Sequence, residues 1–178
     1  MDSIYNRYAL GLFSIAEDEN KVEIYKDEIK NINILLKENE DLIHLFSSYF
    51  INQYEKEKCI DKIFGEFQIY TQNFLKLIIK NNRINKFNFI AKEFNKLCND
   101  YLNIKEGIIY STEALSKEQI KKVEDKLSEV INTKVELTNQ IDEKLIGGIK
   151  VIVDEKIFDG SIKNKLEKLK STLISGGI

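Results

Sequence analysis

The apolar residues of this chain change their spacing once, near residues 103–107, and no other feature constrains the fold as tightly. Ahead of that point they recur at three- and four-residue steps, the period of helices with one buried face. Ile4, Tyr8, Leu12 and Ile15 form the first stripe, with Ala9 and Ala16 beside it. Val22, Tyr25, Ile29, Ile32 and Leu36 form the second. A short apolar piece runs from Leu42 to Phe50, then another from Tyr54 to Phe64, whose polar face carries Glu55, Lys56, Glu57 and Lys58. Residues 69–79 are apolar nearly all round, the pattern of a bundle's central helix. Ile84, Phe87, Ala91, Phe94, Cys98 and Tyr101 make the last long stripe.

Beyond Tyr101 the pattern shortens. Ile108, Ile109 and Tyr110 read as a strand that Ser111-Thr112 ends. Ser116-Lys117-Glu118-Gln119 fits a capping box, in which hydroxyl and amide each satisfy a free N–H. The helix it starts carries Ile120, Val123, Leu127 and Val130 on one face. Residues 134–138 alternate as a half-buried strand does. The stretch from Leu145 to Ser161 then reads as a strand, a tight acidic turn, a short second strand and a helix start. A closing helix shows Ile162, Leu166, Leu169 and Leu173. The expected fold is mainly α: an N-terminal six-helix bundle over 1–104, then a small α+β C-terminal module over 105–178 with the order β-α-β-β-α. Lys105-Glu106-Gly107, which interrupts both patterns, marks the boundary.

Composition excludes several classes of function. With 43% hydrophobic and 31% charged residues the chain is too apolar for intrinsic disorder. Its 27 basic and 29 acidic residues nearly cancel, so no global field steers it to nucleic acid. No apolar run approaches the roughly 20 residues of a bilayer span. The start, Met1-Asp2-Ser3-Ile4-Tyr5, lacks a basic segment followed by an apolar one, so no signal peptide is expected. Cys59 and Cys98 lie on apolar helical faces and are expected as buried, reduced thiols. Proline is absent, and lysine has displaced every arginine except Arg7 and Arg83. Such a bias toward Asn, Ile and Lys suggests an AT-rich genome and leaves no proline to mark the loops.

Catalysis has little to work with. His44, the one histidine, sits in an apolar helical piece without cysteine or carboxylate at metal-ligand spacing. Neither cysteine has the histidine signature of a thiol nucleophile. Gly147-Gly148 leads into a strand, whereas phosphate loops feed a helix N-terminus, so the pair is expected to shape a bend packed against bare backbone. Asp142-Glu143 and Asp154-Glu155 stand beside Lys144 and Lys156 at expected turns. Asp159 or Ser161 should cap the last helix, whose Lys163, Lys165, Lys168 and Lys170 form a solvated face. Gly11, between Tyr8 and Leu12, leaves room for a partner helix to pack closely on the first helix.

Taken together, these segments resemble the delta subunit of bacterial F-type ATP synthases, the family of the mitochondrial oligomycin-sensitivity-conferring protein. The likeness runs over nearly the whole chain. Tyr8-Ala9-Leu10-Gly11-Leu12-Phe13 is similar to the family's opening Tyr-Ala helix, and Asn82-Arg83-Ile84 to its Gly-Arg-Leu corner, with Asn in the Gly place. Ser111-Thr112-Glu113-Ala114-Leu115 stands where the family has a Ser-Ala-x-x-Leu strand end. The strongest match is Asp142-Glu143-Lys144-Leu145-Ile146-Gly147-Gly148, followed by Asp159-Gly160-Ser161 and by Leu166 and Leu169. Glu143 replaces a common proline, and Val153-Asp154 a common Gly-Asp.

The resemblance implies a noncatalytic peripheral-stalk subunit without a cofactor or metal, present as one copy per complex on the cytoplasmic face of the bacterial membrane. It implies that the N-terminal bundle receives N-terminal helices of alpha subunits and that the C-terminal module engages the C-terminal ends of the b subunits. The link would resist rotor torque during proton- or sodium-driven ATP synthesis, with no nucleic-acid partner and no insertion into the membrane. By position, Tyr8, Gly11, Leu12 and Ile15 should line one wall of the alpha-helix groove and Phe74, Leu77 and Ile78 the other. Ala9, Arg83, Leu115, Asp142, Leu145, Ile146, Gly147, Gly148, Asp159, Gly160, Ser161, Leu166 and Leu169 would be structural. The residues also admit a free-standing helical adaptor for an amphipathic segment, or an enzyme using the Gly147-Gly148 turn.

Overall fold

The computed structural model describes the backbone of residues 4–175 and the side chains of 4–171, so Leu173 lies outside the described side chains. It divides into two compact units, Met1–Tyr101 and Leu102–Ile178. In the first, six α-helices precede any strand: α1 (Ile4–Asp18), α2 (Val22–Glu38), α3 (Glu40–Ser47), α4 (Gln53–Ile63), α5 (Ile69–Lys80) and α6 (Phe87–Leu102), with a 3₁₀ turn at Ile84–Lys86 leading into α6.

These helices bury Leu12, Tyr25, Ile32, Phe46, Ile60, Ile78, Phe87 and Phe94, among others, as their core. The first stripe divides. Ala9, Leu12 and Ala16 face inward, while Ile4, Tyr8 and Ile15 are only half-buried. Small residues on the inner face let α1 pack close to its neighbours. The all-round apolarity of α5 does not mean all-round burial: Thr71, Phe74, Leu75, Ile78 and Ile79 are buried, but Ile69, Tyr70 and Leu77 are exposed. Lys56, expected on a polar face, is instead buried on α4. Cys98 is buried as expected, whereas Cys59 is only partly so.

A buried carboxylate organises the start of α5. Glu28 on α2 accepts the Gln68 backbone N–H at 2.8 Å and the Thr71 hydroxyl at 2.5 Å. Two donors at a helix start are thereby satisfied by a side chain from a neighbouring helix. Helix ends rely on asparagine: Asn20, Asn82, Asn103 and Asn132 have φ of 55°, 56°, 52° and 57° and follow α1, α5, α6 and α7. Asparagine tolerates this left-handed conformation better than other residues with a Cβ.

The second unit comprises β1 (Ile104–Ser111), α7 (Lys117–Ile131), β2 (Lys134–Ile141), β3 (Ile149–Val153), β4 (Lys156–Asp159) and α8 (Ile162–Ser175). The order is β-α-β-β-β-α; β4 is the short second strand read after the acidic turn, which the expected order β-α-β-β-α leaves out. The sheet runs β2-β1-β3-β4, with β1 and β2 parallel and the other pairs antiparallel. Lys105-Glu106-Gly107 is not a break but part of β1, paired with Val135, Glu136 and Leu137. Gly107 serves close packing: a Cβ there would lie 2.7 Å from Ile152 O and 2.8 Å from Leu137 Cδ2.

Helix α7 and the sheet enclose Ile109, Leu127, Val135, Val151 and Val153. The Ser116–Gln119 capping box forms, with bonds of 3.2 and 2.8 Å. Val130, expected on the core face, is 72% exposed. Its neighbour Ile131 packs on the core instead, one residue further round α7. The α8 stripe is likewise not core: Ile162, Leu166 and Leu169 are 45%, 59% and 62% exposed.

Candidate functional site

Among the described residues, the candidate site lies in the first unit, in a groove of about 680 Å³ walled by α1 and α5. Tyr8, Gly11, Leu12 and Ile15 line it from α1, joined by Ile4 and Arg7. Tyr70, Asn73, Phe74 and Leu77 line it from α5, and Arg83 from the turn beyond. Of the residues expected in the groove, Ile78 is absent from this lining. It is fully buried in the core, turned about 100° round α5 from the exposed Leu77.

Tyr8 is the fixed element of the wall. Its ring meets Phe74 edge-on at 6.4 Å between centroids, and the Arg83 guanidinium lies over it, 5.2 Å from the centroid. Its hydroxyl accepts from Asn81 Nδ2 at 2.9 Å and from Arg83 Nη1. Edge-on aromatic contact and a guanidinium above the face both follow the ring quadrupole. The turn that delivers Arg83 is a helix stop: Arg83 N–H returns to Ile78 O and Asn82 N–H to Ile79 O, each at 2.9 Å, across left-handed Asn82. Arg83, expected only as a structural corner, is therefore a groove residue. Its contact with Tyr8 spans 75 residues, and no local pattern signals it.

Gly11 is exposed, and a Cβ built on it meets nothing within 4 Å. Glycine inside a helix costs about 0.5–1 kcal/mol relative to alanine. Since this chain needs no room there, Gly11 leaves bare backbone exposed at the groove. The lining offers aliphatic and aromatic surface, two guanidiniums, one side-chain amide and tyrosine hydroxyls. That set suits the burial of an apolar face and lacks a nucleophile paired with a base.

The glycine-rich segment forms a different kind of place, in the second unit. Asp142 accepts the Lys144 N–H at 3.0 Å and donates its own N–H to Ser111 O at 2.9 Å, with Leu145 half-buried and Ile146 76% exposed beyond it. Gly148 has φ +83°, and a Cβ there would stand 2.6 Å from Gly160 O. Gly160 N–H donates to Ile149 O at 2.9 Å, and Ile162 N–H to Gly147 O at 3.0 Å. Ser161 caps α8 through Asn164 N–H at 3.2 Å. Asp159 in turn accepts from Ser161 N–H at 2.9 Å, and the Ser161 side chain first, then this N–H, hold its carboxyl below the usual range. The segment is a backbone clasp between the start of β3 and the start of α8. Leu115 belongs to this unit's framework too: Asn139 Oδ1 accepts its N–H at 2.9 Å, while Asn139 Nδ2 donates to Ser111 Oγ at 2.7 Å. Sequence reasoning missed Asn139, which lies one residue beyond the alternation read over 134–138 and carries no local signal.

His44 is exposed on α3. Burial pushes the Cys98 thiol up to about 12, so it is protonated at neutral pH. No group of three or more His, Cys, Asp or Glu among the described residues is arranged to hold a metal ion, and no described helix is long and apolar enough to cross a membrane.

Comparison with known proteins agrees in kind. The family model described as ATP synthase delta (OSCP) subunit matches residues 4–173. ATP synthase subunit delta of Mycoplasma capricolum subsp. capricolum is 43% identical over 177 residues, covering 97% of each chain. That of Mycoplasma mobile is 40% identical over 168 residues, 94% of this chain and 93% of the relative. That of Clostridioides difficile is 31% identical over 172 residues, 96% and 95%. A chain in the cryo-EM structure of the Toxoplasma gondii mitochondrial ATP synthase hexamer matches with a TM-score of 0.64 over 97% of this chain and 98% of that one. At 19% identity this last likeness concerns the fold alone. A family match spanning nearly every residue, with relatives about 40% identical over nearly their full length, means that the chain belongs to the ATP synthase delta (OSCP) subunit family.

Proposed function

We propose that this chain is the noncatalytic peripheral-stalk subunit of an F-type ATP synthase on the cytoplasmic face of the cell membrane. In this reading the groove between α1 and α5 receives an N-terminal helix of an alpha subunit. The Leu102–Ile178 unit engages the C-terminal ends of the b subunits. The chain then ties the catalytic head to the stator, so that rotor torque drives ATP synthesis instead of turning the head. The observation that carries the reading is the open α1–α5 groove, whose apolar walls and bare Gly11 backbone match what an amphipathic helix needs. Family membership supports the setting, and the exposed Ile162, Leu166 and Leu169 of α8 offer the second unit an apolar stripe.

A link under torque must dissociate slowly, so affinity near nanomolar, about −12 kcal/mol, is expected for the assembled contacts. The test is calorimetric titration of the chain with a peptide of the alpha subunit's N-terminal segment, alongside pull-down from membranes. Saturable binding, with alpha and b subunits recovered together, is expected. Recovery of neither subunit, with no heat from the peptide, would leave a free-standing adaptor as the better account.

A further inference from the structure

We infer that the α1–α5 groove selects a helix bearing a carboxylate beside its apolar stripe, and that Arg7 is the residue that reads it. This rests on the groove being a helix-docking site, as proposed above. The chain carries a formal net charge of −2, with 29 acidic residues, yet the groove lining holds two guanidiniums and no acid. Lysine fills all but two of the chain's 27 basic positions, and both exceptions, Arg7 and Arg83, line this groove.

Arginine differs from lysine in its planar fork of donors, which grips a carboxylate through two parallel bonds and stacks on aromatic faces. The two arginines divide those abilities. Arg83 stacks over Tyr8 and donates to its hydroxyl, so it positions the wall and adds positive potential. Arg7 is exposed at the groove, four residues before Gly11, and so lies one helical turn away on the same side of α1. A helix crossing close at Gly11 brings its flanking residues within reach of that guanidinium. A free anion would leave Ile4, Ile15 and Leu77 uncovered, and two cations are few for a nucleic-acid backbone. The acid must therefore arrive on an apolar-striped helix.

The test uses the full chain and three synthetic amphipathic helical peptides with one apolar stripe, whose flanking position is Glu, Gln or Lys. The alpha N-terminal peptide serves as a fourth probe. At low ionic strength the Glu peptide should bind about 5-fold tighter than the Gln peptide, the ratio expected of a well-aligned surface pair, and the Lys peptide weakest. About 0.5 M salt should shrink the spread. Arg7→Gln should bring the Glu-to-Gln affinity ratio to one, whatever its effect on both peptides alike, and Arg7→Lys should restore only part of the preference. Circular dichroism checks that both variants fold. An unchanged Glu-to-Gln ratio in Arg7→Gln overturns the role of Arg7. If the alpha peptide binds and that ratio stays at one in the parent chain, the docking reading stands and this inference falls. If the acidic peptide binds through Arg7 while the alpha peptide does not, the inference stands and the alpha assignment falls. Binding of none of the four overturns both.

Discussion

In the helical unit the glycine facing the groove has open space where a side chain would stand, whereas in the sheet unit the glycine before β3 has a carbonyl oxygen 2.6 Å from that position. Gly11 costs its own helix stability and leaves room; Gly148, at φ +83°, is demanded by its own backbone. The units differ in the same sense overall. The helical unit buries a broad core and leaves a groove, while the sheet unit, among the described residues, encloses a cluster of five buried apolar side chains and relies on a clasp of backbone bonds around Gly148 and Gly160. Tolerance in one and intolerance in the other show that residue type alone does not tell a glycine the fold requires from one it does not. What stands around the missing Cβ does.

The largest effect should come from the small core. Ile109→Ala removes a fully buried side chain and should cost about 3–4 kcal/mol. Hydrogen exchange should then show β1–β4 unprotected and α1–α6 unchanged; loss of protection in α5 or α6 would break the view of two separate units. Next is Gly11→Asp, which puts a charge into the groove at a position where an added Cβ meets nothing within 4 Å. Affinity for the catalytic head should fall about 100-fold, near 2.7 kcal/mol, with the circular dichroism unaltered. Normal head binding by a folded variant would remove the groove from the docking model.

A matched pair sharpens the contrast. Gly148→Ala should destabilise the sheet unit by about 2 kcal/mol through forced left-handed backbone and contact with Gly160 O. Gly11→Ala should stabilise the helical unit by about 0.5–1 kcal/mol. Urea midpoints moving in the same direction would undo the distinction. Smallest near neutral pH, and opposite in sign, is the response to protons. Cys98 holds its proton to about 12 against an ordinary 9.0, chiefly through burial, so the unfolded thiol ionises first. That contribution is complete below pH 9 and is lost as pH rises toward 12, on the helical side. Tyr25, raised by burial and by its bond to Glu19, acts in the same sense. Asp159 in the sheet unit is lowered by Ser161, so its contribution is present above the ordinary 3.8 and fades as pH falls below it. Exchange measured at both extremes should loosen different units.

Helix positions were legible because a period of 3–4 residues survives in every stripe, and the Ser116 box was legible because its chemistry is local. Which faces were buried was not. Ile69 and Tyr70 of α5 and the α8 stripe look like core in sequence, since a residue meant for a groove or an open face has the same composition as one meant for the interior. Lys56 shows the converse, a charged residue whose stem lies within the packing. Most of the groove followed from position along α1 and α5, but Arg83 and the loss of Ile78 from the wall depend on contacts between distant residues. Loops went unmarked because proline was sought and asparagine carried the signal.

The asparagine stops have a consequence for how such a chain accumulates change. Glycine is written in G-rich codons and asparagine in A-rich ones, so a coding sequence drifting toward A and T is pressed to exchange one for the other. Backbone geometry filters that exchange. At residues 20, 82, 103 and 132 asparagine holds the left-handed turn itself. At 148 the same exchange would drive a side chain into the Gly160 carbonyl, so this codon is barred from following the drift.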